Sequence, residues 1–226
     1  MIEVKRFKTD AVLFDLDGTL IETIGDIALA ANCMLEELGH PQREEDQIRQ
    51  FVGKGVPNLV TRCLNEGQLE AAGPEEIAAG VAAFQRHYER VNGSRAEVYP
   101  GIFETLDALQ ERGLALACVT NKPEAFTHPL LAQLGLTPYF PVVVGGDSLP
   151  TRKPDPAMLQ HAAQQLGARH PLMIGDSAND ALAARAAGYP VLLVSYGYSE
   201  GIPVDSIECD GLLSNARAAL EHIEPA

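Results

Sequence analysis

Two carboxylates, Asp15 and Asp17, stand two residues apart directly after a short apolar segment at residues 11–14. The segment is too short for a helix and leads into a turn at Gly18, which favours a buried strand. Alternate residues of an extended chain point the same way, so both carboxylates would face one side at the strand's carboxyl end. Open α/β sheets bind ligands at that end. Such a pair can bind a hard cation and leave one oxygen free to attack phosphorus, although a polar strand cap would have the same sequence.

Three later segments also place reactive residue types next to predicted elements. They are Thr120 and Asn121 after the apolar residues 114–119, Lys153 before a predicted helix start at Asp155 and Pro156, and Asp176 and Asp180 after residues 172–174. Each has an ordinary alternative: Lys153 as a solvated loop lysine, Thr120 as a strand-end hydroxyl, and Asp176 and Asp180 as caps of the following helix. Their joint occurrence in this order favours a single shared site.

The motifs DLDGT, VTNK, the lysine of KPDP and GDSAND resemble the four signature motifs of the haloacid dehalogenase superfamily of phosphohydrolases. The similarity extends over nearly the whole chain. The segments VTNKP and GGDSLP, and Gly197 with Tyr198, are most similar to those of members that act on 2-phosphoglycolate. The resemblance implies an α/β fold with a Rossmann-like core and an inserted helical cap domain. It also implies Mg²⁺-dependent hydrolysis of a phosphomonoester through an aspartyl-phosphate, with 2-phosphoglycolate as the expected substrate.

The resemblance also implies a role for each acidic residue and for the lysine. Asp15 would be the nucleophile, and Asp17 would protonate the leaving alkoxide and then deprotonate the attacking water. Mg²⁺ would be bound by Asp15, by the backbone carbonyl of Asp17 and by Asp176. Asp180 would support the site by orienting a water on the metal or Lys153. Lys153 would offset the negative charge on Asp15 and on the phosphoryl group.

Phosphate oxygens would be bound by Thr120 and by the backbone N–H groups of Gly18 and Asn121. Residues 51–55, FVGKG, resemble the specificity loop of the cap. Lys54 in this loop would meet the carboxylate of 2-phosphoglycolate, or it would be a solvated surface lysine. Tyr198, after the last predicted strand of the sheet, would line the mouth of the site or pack against its surroundings.

The apolar pattern divides the chain into two kinds of organisation. From residue 98 onward short apolar runs alternate with helical patterns that end at glycines. Together with residues 11–14 this predicts a doubly wound, mostly parallel sheet with helices on both faces. Between residues 23 and 92 apolar residues recur at helical spacing, which predicts a helical bundle, with its third helix ending at Gly67.

We therefore expect a catalytic core formed by residues 1–22 and 95–226 and a cap domain formed by residues 23–94. The insertion leaves the core just after the first catalytic strand and returns just before the second. Both connections would lie near the active edge of the sheet. This placement favours a lid over the site, with a second packing domain as the alternative.

The composition agrees with a compact, soluble, acidic enzyme, and the resemblance implies a small phosphorylated metabolite as its partner. The net charge is −14, from 31 acidic and 17 basic residues, which argues against nucleic acid or an anionic membrane as a partner. A phosphate site must then create its own positive field, from Mg²⁺, Lys153 and helix N-termini. The four cysteines lack CxxC spacing, the first ten residues lack a signal-peptide core, and no apolar run approaches the about 20 residues that span a bilayer. We expect a cytoplasmic monomer or homodimer.

Three functions remain open at this point. The first is a phosphatase for 2-phosphoglycolate, and the second is a phosphatase for another small phosphomonoester such as a sugar phosphate, with a phosphomutase as its variant. The third is a binding module that has kept the fold without the reaction, which the intact Asp15, Asp17, Lys153 and Asp176 disfavour. The same residues disfavour a dehalogenase. A phosphonatase would need a Schiff-base lysine in the cap, and Lys54 is the residue to test for it.

Overall fold

The computed structural model describes residues 5–65 and 72–226. Its strands are β1 (Phe7–Thr9), β2 (Ala11–Phe14), β3 (Ile21–Glu22), β4 (Glu97–Val98), β5 (Ala115–Val119), β6 (Val142–Val144), β7 (Pro171–Gly175), β8 (Val191–Val194), β9 (Gly211–Leu213) and β10 (Ile223–Pro225). Six of them form the main sheet in the order β6-β5-β2-β7-β8-β9, and each neighbouring pair is parallel. Phe14 of β2 lies opposite Cys118 of β5 and Ile174 of β7, so the three central strands end at the same edge.

The helices are α1 (Ile24–Glu37), α2 (Glu45–Arg49), α3 (Val56–Leu64), α4 (Pro74–Val91), α5 (Ile102–Glu111), α6 (Glu124–Gln133), α7 (Ala157–Leu166), α8 (Ala178–Ala187) and α9 (Ala219–His222). Side chains of β2 alternate between two hydrophobic clusters, as the twofold period of a strand requires. Val12 and Phe14 pack with α5 and α6, whereas Leu13 packs with α7 and α8. The sheet is therefore covered by helices on both faces, and the predicted fold class is confirmed.

Helices α1 to α4 lie within residues 23–94, which we call the cap segment. Helix α1 packs against α4, α2 and α3, and α3 packs against α4. Their buried side chains form one hydrophobic cluster, to which the rest of the chain adds Phe126 and Tyr198. Helix α3 ends at Leu64, and the end predicted at Gly67 lies outside the described residues.

The structure also contains a short antiparallel pair that the sequence pattern did not predict. Ile21 of β3 lies opposite Val98 of β4, and Glu22 lies opposite Glu97. Each strand has two residues, so neither carries a readable alternation of its own. The pair joins the two points at which the chain enters and leaves the cap segment.

A buried carboxylate also holds together the two connections by which the chain enters and leaves the cap segment. Asp26 in the first turn of α1 is fully buried. It accepts hydrogen bonds from the backbone N–H groups of Gly93 and Arg95 and from the Ser94 hydroxyl, each at 2.8 Å. Such donors compensate the loss of hydration that a buried charge suffers. The start of α1 is thereby held against the chain that follows α4.

A second polar network surrounds Glu22 at this junction. Its carboxylate accepts hydrogen bonds from the hydroxyl groups of Tyr198 and Tyr99, the latter at 3.0 Å, and from the Arg49 guanidinium at 3.1 Å. Burial alone would raise the pKa of Glu22, but these three donors outweigh it and lower that pKa below its ordinary value. The ionised form of Glu22 is therefore the one that this network stabilises.

We expect Glu22→Gln to remove a pH-dependent part of the folding stability. Because the folded-state pKa of Glu22 lies below its unfolded value of 4.5, its stabilising effect is complete above that pH. The effect is lost as the pH falls through the lowered pKa. The variant should unfold about 1–2 kcal/mol more easily at neutral pH, with a smaller difference well below pH 4.5. Urea unfolding at both pH values tests this, with Glu104→Gln, at an exposed carboxylate of α5, as the control; a difference independent of pH would contradict it.

The cysteines are free thiols, and two of them are deeply buried. Cys63 and Cys118 are fully enclosed, whereas Cys33 and Cys209 are partly exposed. Burial raises the pKa of Cys63 to about 12 and raises the pKa of Cys118 as well, so neither is a reactive thiolate. Among the described residues, no helix combines the length and the apolarity needed to cross a bilayer.

Candidate active site

The carboxyl edge of the sheet brings together side chains that are far apart in the sequence. Asp15 directly follows β2, Thr120 follows β5, and Asp176 follows β7. All three line one pocket, together with Asn121 and Lys153. The structure therefore collects most of the residues that the motifs singled out into one cavity at this edge.

Lys153 is an ion-paired lysine inside the protein, with 2% of its surface exposed. Its ammonium group donates to the carbonyl of Val119 at 2.7 Å and to Oδ1 of Asp180 at 2.7 Å. It also lies 2.8 Å from Oδ1 of Asp15. Lys153 is thus held by two hydrogen bonds and forms an ion pair with Asp15, which neutralises part of the charge on that carboxylate.

The acidic groups beside Lys153 carry unfavourable charge in the absence of a cation. Burial raises the pKa of Asp15 to about 7, and the neighbouring Asp180 adds to this effect, although Lys153 opposes both. Burial also raises the pKa of Asp176 well above its usual range, reinforced by the charges of Asp15 and Asp180. Carboxylates concentrated in this way are a common property of a site built to hold a metal ion.

The donor set fits Mg²⁺, which prefers oxygen ligands. Carboxylate oxygens of Asp15, Asp176 and Asp180 lie within 4.8 Å of one another. Asp180, however, already uses both of its oxygens. Oδ1 accepts from Lys153, and Oδ2 accepts from the Ser177 hydroxyl at 2.8 Å and from two backbone N–H groups. Asp15 and Asp176 are thus the carboxylates left to bind a metal, while Asp180 holds the helix start and Lys153.

Two glycines lie against Asp176 where no other residue would fit. A Cβ atom at Gly18, which has a φ of +84°, would lie 2.2 Å from Oδ2 of Asp176, and one at Gly197 would lie 2.3 Å from it. The glycine of DLDGT therefore allows close packing. Its backbone N–H donates to the carbonyl of Ile21 at 2.9 Å, so the structure does not leave it free for phosphate as the sequence analysis expected.

Thr120 and Asn121 offer donors at the same edge. The Thr120 hydroxyl oxygen accepts the backbone N–H of Lys122 at 3.2 Å, which leaves its own proton free to donate. The Asn121 amide donates to the carbonyls of Gly53 and Lys153, both at 2.9 Å. Its backbone N–H has no acceptor among the described residues, so it remains available to a ligand. Asn121 thus also ties the cap segment to the core, which the sequence analysis did not foresee.

Lys54 is a predicted site residue that the structure does not bring to the pocket. Its ammonium group pairs with Oε2 of Glu200 at 2.7 Å, and 53% of its side chain is exposed. Glu200 is also held by Asn179, whose amide donates to Oε1 at 2.7 Å. Lys54 is not among the residues that line the pocket. It therefore joins the cap segment to the core from outside the cavity.

Lys122 is a site residue to which the sequence analysis gave no role. It lines the pocket and is 7% exposed. Its Nζ atom lies 3.0 Å from Oδ1 and 3.2 Å from Oδ2 of Asp17, and it donates to the Tyr88 hydroxyl at 2.5 Å. The sequence feature that could have identified it is a basic residue two positions after Thr120, in a motif at the end of a strand. Asp17 is therefore paired with a buried cation on the wall of the site.

Comparison with known proteins gives the site a family context. Residues 9–188 match the family model of haloacid dehalogenase-like hydrolases. The chain belongs to this family. It is 44% identical over 217 residues to the phosphoglycolate phosphatase of Nitrosospira multiformis, covering 95% of each chain. It is 46% identical over 218 residues to the plasmid-encoded phosphoglycolate phosphatase of Cupriavidus necator, covering 96% of this chain and 94% of that one.

Solved structures agree with the fold of this haloacid dehalogenase-like hydrolase. The crystal structure of a predicted phosphoglycolate phosphatase from Haemophilus somnus 129pt is similar to it, with a TM-score of 0.86 and 30% sequence identity. The similarity covers 98% of this chain and 99% of the other. The expectation of a phosphatase of the haloacid dehalogenase type is therefore confirmed, and the motifs that carried the resemblance fall at the carboxyl edge of the sheet.

The cap side of the hydrolase's pocket is mainly apolar. Its side chains are those of Ile27, Val52, Val56, Leu59, Phe84 and Tyr88. Among the described residues of the cap segment that line the pocket, Tyr88 alone has a polar side chain, and its hydroxyl is bonded to Lys122. Burial raises the pKa of Tyr88 to about 12, so this hydroxyl is neutral at physiological pH. The pocket thus has polar side chains on the core side, which we call the floor, and mainly apolar side chains on the cap side, which we call the roof.

We expect Mg²⁺ to stabilise the folded hydrolase and Asp176→Asn to weaken this effect. A ligand that binds the folded state at a hundred times its Kd stabilises it by about 2.7 kcal/mol, and removing one carboxylate ligand lowers the affinity. The measurement is the Tm with EDTA and with increasing Mg²⁺. Asp205→Asn, at an exposed residue of a short 3₁₀ helix, is the control. An equal Mg²⁺-dependent rise in Tm for Asp176→Asn and wild type would remove Asp176 from the metal site.

Proposed function

We propose that this protein hydrolyses 2-phosphoglycolate to glycolate and phosphate through a covalent intermediate on Asp15. The observation that carries the proposal is the contact of 2.8 Å between Asp15 and the buried Lys153, next to Asp176 at the carboxyl edge of the sheet. A carboxylate held by a buried cation in a pocket is a positioned nucleophile. The names of the relatives from Nitrosospira multiformis and Cupriavidus necator support the choice of substrate.

In the first step a carboxylate oxygen of Asp15 forms a bond to phosphorus, and the bond from phosphorus to the ester oxygen breaks. Asp17, in its protonated form, gives its proton to the leaving alkoxide, so that glycolate leaves with a neutral hydroxyl group. Lys153 holds Asp15 in place for the attack. The Thr120 hydroxyl and the backbone N–H of Asn121 donate to phosphate oxygens and stabilise their charge.

In the second step water cleaves the aspartyl-phosphate. Asp17, now ionised, takes a proton from the water while the water oxygen attacks phosphorus. The bond between phosphorus and Asp15 breaks, which releases inorganic phosphate and restores the Asp15 carboxylate. The pair of Asp17 with Lys122 keeps the Asp17 carboxylate at the pocket wall between the two steps.

Bound by Asp15, Asp176 and the backbone carbonyl of Asp17, Mg²⁺ would supply the positive charge that lets an anionic nucleophile approach an anionic phosphate. Neighbouring residues hold the Asp176 carboxylate in place by hydrogen bonds. The backbone N–H of Tyr198 donates to Oδ2 of Asp176, and Asp180 accepts from the backbone N–H of Asp176. These bonds fix the direction of the Asp176 carboxylate.

The apolar roof of the pocket favours a small substrate with few hydroxyl groups. The hydroxyl groups of a sugar phosphate lose hydration on entering the pocket and need hydrogen-bond partners there. Among the described cap residues that line the pocket, Tyr88 is the one with a polar side chain, and it is already bonded. A two-carbon substrate places its polar atoms near the floor instead. This contrast favours 2-phosphoglycolate over a sugar phosphate or a phosphomutase substrate.

The cap segment, residues 23–94, acts as a lid over a core of residues 1–22 and 95–226 in this proposal. Its loop lies on the core through the bond from Asn121 to the Gly53 carbonyl and through the pair of Lys54 with Glu200. A lid that covers the phosphoenzyme excludes bulk water and selects the substrate by size.

The deciding experiment is kcat/KM with Mg²⁺ for a panel of small phosphomonoesters. The panel contains 2-phosphoglycolate, p-nitrophenyl phosphate and several sugar phosphates. We expect 2-phosphoglycolate to have the highest value. A higher value for a sugar phosphate would replace the proposed substrate, and turnover that requires priming by a sugar bisphosphate would indicate a phosphomutase. No turnover of p-nitrophenyl phosphate would leave a binding module.

A further inference from the structure

We propose that Lys122 binds the carboxylate of the substrate and thereby determines specificity for phosphomonoesters with an anionic group next to the ester carbon. The inference rests on the proposed function, because it uses the same pocket and the same reaction. It assigns to Lys122 the recognition that the sequence analysis had expected of Lys54.

The two lysines that line the pocket differ in the number of carboxylates that they face. Lys153 donates to the Val119 carbonyl and to Asp180, and it pairs with Asp15, so two carboxylates share its charge. Lys122 faces one carboxylate, that of Asp17, and the neutral Tyr88 hydroxyl. Lys122 is therefore the pocket lysine with more positive charge left for the carboxylate of a ligand.

The position of Lys122 also suits a contact with the carboxylate of the substrate. In the proposed mechanism Asp17 delivers its proton to the ester oxygen, so that oxygen lies beside Asp17. The Lys122 ammonium group is 3.0 Å from Oδ1 of Asp17. In 2-phosphoglycolate a single methylene group separates the ester oxygen from the carboxylate. A substrate carboxylate attached in this way comes within reach of Lys122 while phosphorus stays at Asp15.

A contact between Lys122 and the carboxylate of the substrate would be strong. Lys122 is buried, and charged hydrogen bonds in a poorly hydrated site are stronger than those at a surface. Lys122 forms an ion pair with Asp17 at 3.0 Å, which compensates the burial of its charge. Lys54, by contrast, is 53% exposed and is already paired with Glu200. An exposed pair of this kind contributes little to binding a ligand inside the pocket.

The apolar roof adds selectivity to this contact. Tyr88 from α4 is bonded to Lys122 and stacks on Phe84, while Phe126 from the core packs against its edge. This aromatic cluster lines the pocket beside the ammonium group. A carboxylate that enters here finds one fixed cation among rings, which favours an anionic end group over a hydroxylated one.

The test compares two substrates that differ in the carboxylate: 2-phosphoglycolate and ethyl phosphate. For wild type, Lys122→Met and Lys54→Met, kcat/KM is measured on both with Mg²⁺ present. We expect Lys122→Met to lower the preference for 2-phosphoglycolate over ethyl phosphate by about 10- to 100-fold, the scale of one charged hydrogen bond. The loss should fall mainly on KM. Lys54→Met, with the same change on the exposed lysine, should leave the preference unchanged.

Lys122→Gln is a second variant in case the methionine disturbs folding. Glutamine is polar and can still bond to Asp17 and Tyr88, but it lacks the charge, so it should also lower the preference. A preference equal to that of wild type, with both substrates slowed alike in kcat, would overturn the inference and leave Lys122 as a positioning residue for Asp17. If instead the proposed function is wrong, the result differs: wild type itself will prefer a sugar phosphate.

Discussion

Asp15→Asn should lower kcat on every phosphomonoester by about 10⁴-fold or more, the scale of losing a covalent nucleophile. An amide oxygen does not form the phosphoryl bond that the proposed reaction requires. The fold should remain intact, because Lys153 keeps its bonds to Asp180 and to the Val119 carbonyl. Since burial raises the pKa of Asp15 to about 7, its ionised form disfavours the metal-free fold above that pH. The neutral variant should therefore have an equal or higher Tm in EDTA.

Rapid quenching and mass spectrometry of the peptide that contains Asp15 provide the direct measurement. Wild type should show a phosphoryl group on that peptide during turnover, and Asp15→Asn should show none. Asp155→Asn is the control, because Asp155 lies in the KPDP motif and accepts the backbone N–H of Ala157 outside the pocket. Full activity of Asp15→Asn would rule out the covalent route.

Asp17→Asn should separate the two halves of the reaction. Glycolate leaves as a poor leaving group that needs a proton, so kcat/KM for 2-phosphoglycolate should fall by about 10²- to 10⁴-fold, the usual contribution of a general acid. With p-nitrophenyl phosphate the leaving phenolate needs no proton. The variant should therefore release about one p-nitrophenol per active site in a burst, followed by slow turnover, because cleavage of the phosphoenzyme still needs the base.

Stopped-flow absorbance at the p-nitrophenol band measures this burst. The Tm of Asp17→Asn is the accompanying control, because the substitution leaves the buried Lys122 without its carboxylate partner and some loss of stability is expected. A burst smaller than one equivalent in folded protein, or equal losses on both substrates before the steady state, would show that Asp17 does not act as the acid.

The elements that the sequence predicted well are those in which local pattern and burial agree. Helices α7 and α8 have the bounds expected from their apolar spacing, and each ends at a glycine, Gly167 or Gly188, in the left-handed conformation. The buried strand β2 likewise has its predicted bounds. The paired strands β3 and β4 were missed, because two residues carry no period and their pairing depends on tertiary contacts.

The site was predictable where a motif names the residue and less so where a distant partner decides its role. Lys153 was placed by its motif, but its two hydrogen-bond acceptors and its ion-pair partner Asp15 come from other parts of the chain. Lys54 was expected at the substrate because nothing in the sequence indicates that it would pair with Glu200. Lys122 had no expected role, because its bonds to Asp17 and Tyr88 join three separate parts of the chain.

Tyr198 connects the proposed metal site to the start of the cap segment through a single residue. Its backbone N–H donates to Asp176, while its hydroxyl accepts from the backbone N–H groups of Thr23 at 2.7 Å and Ile24 at 3.1 Å. If the cap segment moves as the proposed lid, its pivot lies one side chain away from Asp176, the proposed metal ligand, and the far ends of its helices move the most. Small displacements of Asp176 should therefore become larger at the far ends of the cap helices. A fluorophore attached there should detect the binding of a cation.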